Sequence, residues 1–152
     1  MRSDRGAALL TGGVAVALLA GAYGFQYIGN LAPCEMCWWQ RYALFATAAL
    51  AGLAIVTRNR GLAAASIVAL LVNAGIAGFH VGVEQHWWQG ITTCAAAPMV
   101  GSTADVMSEI MAAPLVRCDA IAWSLFGISM AGWNALISSL IGGLALWRLK
   151  RG

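Results

Sequence analysis

The sequence predicts an all-α membrane protein: a four-transmembrane-helix bundle with a short amphipathic surface helix in its second outer loop. Three observations predict it. The composition is 61% hydrophobic and 10% charged, whereas a soluble domain carries about 25% charged residues. Four apolar stretches are each long enough, as helices, to cross a bilayer. The basic residues are also segregated. Arg2, Arg5, Arg58, Arg60, Arg148, Lys150 and Arg151 fall on one side of those stretches, and Arg41 and Arg117 on the other. The net charge of +3 is thus a topological pattern rather than a nucleic-acid-binding surface. Residues 1–152 read as one integral-membrane domain, with no internal repeat and no low-complexity tract.

The first span covers about 6–28 and is apolar throughout. A cleaved signal peptide is the competing reading, because Ala20-Gly21-Ala22 resembles a cleavage site. The apolar run is longer than the roughly 7–15 residues such a peptide needs. Asn30 and Pro33 end the helix, and a first outer loop covers about 29–38. The second span covers 39–57, the Arg58–Gly61 turn follows, and the third span covers 62–83. Gly78-x-x-x-Gly82 offers a small-residue face to a neighbouring helix. A second outer loop covers about 84–131. Within it Ser102 and Asp105 give an approximate capping signal and Pro114 a stop. Val106, Met107, Ile110 and Met111 share one face between those signals, which fits a helix on the membrane surface. Trp123 to Trp133 reads as interfacial. The last span covers 132–147, with Ser138, Ser139, Gly142 and Gly143 as a close-packing face.

By the positive-inside rule both termini and the Arg58–Gly61 turn are cytoplasmic. Cys34, Cys37, Cys94 and Cys118 then share the opposite side, along with Glu35, Glu84, Asp105, Glu109 and Asp119. In bacteria that side is oxidising and permits disulfides. The four cysteines allow three pairings. A four-thiolate zinc site is the alternative, but its halves usually both have short spacing, and Cys94 and Cys118 stand far apart.

The chemistry concentrates in Pro33-Cys34-Glu35-Met36-Cys37-Trp38-Trp39-Gln40-Arg41. Two thiols at this spacing can close into a reducible disulfide. If the helix begins near them, its positive end favours thiolate over thiol. Arg41 follows Cys37 by one helical turn, which puts a fixed charge on the same face.

These residues resemble the disulfide bond formation protein B (DsbB) family, and the resemblance covers nearly the whole chain. It rests on Pro33-Cys34-x-x-Cys37-x-x-Gln40-Arg41, on Gly82-Val-Glu84 leading to Trp88-x-Gly90 and Cys94, and on Arg117-Cys118-Asp119 followed by Trp123-Ser124 and Ser129-Met130-Ala131-Gly132. The compact chain is similar to the shorter members. The resemblance implies an inner-membrane protein-disulfide:quinone oxidoreductase. Such a protein reoxidises a periplasmic thioredoxin-fold oxidase (DsbA-like) and passes the electrons to ubiquinone or menaquinone. It implies that Cys34 and Cys37 are the quinone-side pair, with Cys37 nearest the ring. Arg41 supports quinone binding, and His80 stands near the family's quinone-side histidine. It also implies that Cys94 and Cys118 meet the partner enzyme, and that Cys118 bridges to Cys34 in an intermediate. No metal is required. His86 has less to recommend it as a ligand than His80.

Three alternatives carry different expectations. A non-catalytic membrane protein stapled by loop disulfides would not need Arg41. A small transporter would want polar residues within the spans, where Asn73 is one of few. A bundle like vitamin K epoxide reductase places its Cys-x-x-Cys differently, whereas here the pair opens the second helix.

Overall fold

The computed structural model describes residues 2–91 and 116–151. Its elements are α1 (Arg2–Tyr27), α2 (Glu35–Thr57), α3 (Arg60–Glu84), β1 (Ser124–Leu125), β2 (Ile128–Ser129) and α4 (Met130–Arg151). All four helices are long and apolar enough to cross a membrane, as the composition predicts. Cys94 and the expected surface helix around Ser102 to Ala113 lie outside the described residues.

The helix ends follow from local chemistry. Helix α2 begins at Glu35, so the Cys-x-x-Cys pair opens it, one turn ahead of the span expected from residue 39. Cys34, in an extended conformation, caps it by accepting the Cys37 N–H on its sulfur at 3.3 Å. Glu35 adds a negative charge in the first turn, which the helix dipole favours. At the other end Arg58 takes a left-handed conformation (φ 54°). Asn59 then caps α3, its Oδ1 accepting the N–H groups of Gly61 and Leu62 at 2.8 and 3.2 Å. The turn is therefore tight, and α2 and α3 return side by side.

The segment expected to be merely interfacial before the last span contains a two-stranded hairpin. Ser124 pairs with Ser129 and Leu125 with Ile128. Phe126 and Gly127 both have positive φ, the conformation of a type I′ turn. Ser129 ends the hairpin and accepts the Gly132 N–H at 3.1 Å, so the same residue caps α4. Arg148, Lys150 and Arg151 occupy the last turn of α4, where cations complement the helix dipole.

The helices pack in the cyclic order α1–α2–α3–α4, with α1 also touching α3 across the bundle. Three buried layers stack along it. Ala7, Ala54, Ala63, Ile67 and Leu149 belong to the first, Ala15, Leu19, Leu44 and Leu70 to the second, and Cys34, Met36, Val83 and Cys118 to the third. The many alanines let backbones approach closely, as membrane helices require. Large apolar side chains such as Val56, Val68 and Leu140 point outward, the arrangement expected of a lipid-facing surface.

The close-packing expectations hold in part. A Cβ on Gly142 would lie 2.6 Å from Leu71 Cδ2, and Ser138 is buried, so these two face α3. Gly143 and Ser139 do not share that face: Gly143 has open space beside it and Ser139 is exposed. Gly82 makes its close approach to Trp88 and not to a neighbouring helix: an added Cβ would lie 2.0 Å from the indole. Trp88 folds back over the end of α3, stacks on Phe79 and donates Nε1–H to the Phe79 carbonyl at 3.1 Å. Gly78 meets nothing within 4 Å.

Candidate active site

The end of α1, the start of α2, the end of α3 and the start of α4 meet at one end of the bundle. There Cys34 and Cys37 stand with their sulfurs 2.7 Å apart. Cys34 is buried and Cys37 half-buried. The hydrogen bond to the Cys37 sulfur, reinforced by burial, holds the Cys34 thiol well above the usual thiol range. Cys118 is buried in the same cluster as Cys34, with Met36 and Val83. The second outer loop therefore delivers one of its cysteines directly to the Cys-x-x-Cys pair.

Arg41 is buried one turn into α2. Its Nη1 donates to Gln26 Oε1 at 2.5 Å and its Nη2 to the Ala22 carbonyl at 3.1 Å, both on α1. The guanidinium also lies over the rings of Tyr23 and Trp38, 4.6 and 4.8 Å from their centroids. Its Nε is buried without a hydrogen-bond partner among the described residues. Leaving such a donor unpaired costs about 1–3 kcal/mol, so it marks a place for an acceptor.

His80 comes from α3. Its Nε2 is 3.7 Å from Cys34 Sγ and 3.9 Å from Glu84 Oε1. Its Nδ1 is 2.9 Å from Gln40 Nε2. Glu84, which the sequence places among the outer acidic residues, is buried and accepts a short hydrogen bond from the Ser129 hydroxyl. Cys34, Cys37, Gln40, Arg41, His80 and Glu84 all line one cavity of about 400 Å³. Its other walls are mostly apolar, with Leu18, Phe25 and Trp123 among them. The size and lining suit a small, largely apolar ligand with a few polar handles.

The ligand atoms of Cys34, Cys37 and His80 lie within 4.8 Å of one another, a donor set that soft metals favour. Two sulfur ligands of one tetrahedral zinc stand about 3.8 Å apart, given Zn–S bonds of about 2.3 Å. The two sulfurs stand closer than that, within reach of closing a disulfide on two-electron oxidation.

A second cavity, of about 410 Å³, opens beside the first. Cys118 lines it with His86, Trp87, Trp88 and Asp119. Arg117 and Asp119 flank Cys118 and form an ion pair with contacts of 2.8 and 2.5 Å. Hydrogen bonds from the guanidinium hold the Asp119 carboxyl below the usual carboxylate range.

Several site residues escape sequence reading. Gln26 is a lone polar residue near the end of an apolar run, which was the available signal. Gln40 sits inside the motif without a role of its own. Glu84 and Ser129 stand in the motifs with no role assigned and Asn134 outside them, and their place in the site comes from tertiary contacts with residues far away in the chain.

Four spanning helices around an exchange-ready thiol pair define an integral-membrane protein of disulfide bond formation. The chain belongs to the DsbB family, for the sequence model of "Disulfide bond formation protein DsbB" matches residues 4–148. It is similar to "Disulfide bond formation protein B" of Polaromonas naphthalenivorans, at 36% identity over 90% of this chain and 85% of that one. The protein of the same name from Verminephrobacter eiseniae is 35% identical over 90% and 81%. That of Marinobacter nauticus is 29% identical over 91% and 87%. No solved structure matches the chain.

Proposed function

We propose that the protein is a thiol:quinone oxidoreductase of the bacterial inner membrane. It reoxidises a periplasmic thioredoxin-fold disulfide oxidase and passes the electrons to a quinone. The observation that carries this reading is the cavity in which Cys37, Arg41 and His80 meet. Its apolar walls suit a quinone head group, and the unpaired Nε of buried Arg41 offers a donor for a ring oxygen. The segregated arginines support an orientation with both termini in the cytoplasm and the cysteines in the periplasm.

The chain's own residues divide the work. The oxidase thiolate attacks Cys94 of the Cys94–Cys118 disulfide and releases Cys118 as thiolate. Cys118, seated against Cys34, attacks that sulfur, and the Cys34–Cys37 bond breaks with its electron pair on Cys37. Each step is thiol–disulfide exchange, so one S–S bond forms for each that breaks. Arg41, one turn below, stabilises negative charge at the Cys37 end of the cavity. The quinone, when bound, supplies the two-electron, two-proton acceptor, so partner dithiol plus quinone becomes partner disulfide plus quinol. The apolar cavity accommodates ubiquinone and menaquinone head groups alike on this reading. The test is quinone reduction by the purified protein supplied with a reduced thioredoxin-fold oxidase. Stoichiometric loss of partner thiols and quinone is expected; thiol oxidation without quinone consumption would overturn the reading.

A further inference from the structure

A row of amides, buried at Gln40 and Asn73 and half-buried at Asn134, crosses the bundle and ends on His80. Asn134 Nδ2, on α4, donates to Gln40 Oε1 at 2.6 Å. Asn134 Oδ1 accepts from Asn73 Nδ2 at 2.9 Å and from the Ser138 hydroxyl at 3.1 Å. With its oxygen engaged by Asn134, Gln40 has only its NH₂ group to turn toward His80 Nδ1, 2.9 Å away. An NH₂ group donates, so Nδ1 must accept. The single proton of a neutral imidazole then sits on Nε2. What the other end of the ring meets agrees: it donates to the Cys118 backbone carbonyl, and Nε2 faces the Cys34 sulfur at 3.7 Å and the Glu84 carboxyl oxygen at 3.9 Å. Two ends of one ring, bonded through different elements, demand the same tautomer.

We propose that Gln40 and Asn134, backed by Asn73 and Ser138, are positioning residues that lock His80 as the Nε2–H tautomer and turn that proton toward the Cys34 sulfur and the Cys118 backbone beside it. The lock gives the Cys34 sulfur a donor in addition to the Cys37 N–H, which polarises the sulfur that Cys118 attacks and steadies negative charge on it when the pair is fully reduced. Its use in catalysis rests on the thiol–quinone reading above, but the tautomer does not.

The chain has two histidines, His80 and His86, so the test is direct. Histidine is labelled with ¹⁵N in the full chain, held in lipid nanodiscs without quinone or oxidase. The exposed His86 is replaced by His86→Gln to leave one imidazole. At neutral pH the Nε2 of His80 should resonate as a protonated, pyrrole-type nitrogen and the Nδ1 as an unprotonated one. In Gln40→Glu the carboxylate can only accept, and the proton should move to Nδ1. With the donor turned away, alkylation of reduced Cys34 should slow by about tenfold, the ratio expected for one hydrogen bond to a charged group. A protonated Nδ1 in the otherwise native chain overturns the lock, and so does a Gln40→Glu spectrum identical to it. Neither result touches the quinone-reduction assay. Conversely, failure of that assay beside a protonated Nε2 would sink the oxidoreductase reading and leave the lock in place.

Discussion

Arg41 Nη1 lies 2.5 Å from Gln26 Oε1, so an arginine of α2 is held in place by α1. With the second bond to the Ala22 carbonyl and the rings of Tyr23 and Trp38, the guanidinium is fixed on several sides before any ligand enters. Preorganised charge of this kind is worth more than the same charge on a mobile side chain.

Arg41→Ala should therefore weaken apparent quinone affinity by about 10- to 100-fold, the range for losing a charged hydrogen bond. Arg41→Lys keeps charge but loses the planar fork and should fall between. Gln26→Leu should move the affinity the same way by less, because it loosens the arginine without removing it. The check is the dependence of rate on quinone concentration; an unchanged dependence in Arg41→Ala removes this residue from the site.

Topology gives a second prediction. Seven of the nine basic residues gather at one end of the spans, and Cys34, Cys37 and Cys118 lie at the other. A membrane-impermeant thiol reagent, applied to intact cells after reduction, should label the cysteines. Labelling confined to inverted vesicles would reverse the orientation and with it the electron route.

The four spans and the Cys-x-x-Cys motif were legible in the sequence because each is a one-dimensional signal: a run of hydropathy, or a fixed spacing. That the cysteine pair opens α2 was legible, but that the Cys34 sulfur itself caps the helix was not, because cysteine is not an ordinary capping residue. The hairpin was missed because two-residue strands leave no alternation to read. Gly82 looked like a helix–helix contact, yet its partner is Trp88, a few residues on, folded back over the helix end. The hydrogen bonds Gln26–Arg41, Gln40–His80 and Gln40–Asn134 join different helices, and no local pattern announces them.

Gly82 also supports a stability prediction. A methyl group there would overlap the Trp88 indole, so Gly82→Ala should cost about 1–3 kcal/mol, the usual penalty of overpacking. Trp88→Ala removes the obstacle, and the double variant Gly82→Ala/Trp88→Ala should be no less stable than Trp88→Ala alone. Thermal unfolding in detergent reads this. A fully additive loss would mean the indole is not what the glycine accommodates.

The order of the cysteines gives the last prediction. Cys118 is buried against Cys34, and it also lines the second cavity beside Trp87 and Trp88. A sulfur so placed is well situated to pass a bond inward and poorly placed to receive a bulky protein thiolate from outside. On the proposed reading, attack by the oxidase falls to Cys94, as the family resemblance implies, and Cys118 is the thiolate released. Removing the released sulfur should stall the relay at its first covalent step. In Cys118→Ser, mixed with an oxidase whose own second cysteine is replaced, the complex linked through Cys94 should accumulate. In Cys94→Ser no such complex should form by this route. A non-reducing gel, with mass spectrometry of the linked peptides, identifies the bond. Linkage of the oxidase through Cys118 or Cys34 in the otherwise native chain would overturn the order. It would also mean that the inner cluster opens far enough to admit a protein, which the burial of Cys34 and Cys118 argues against.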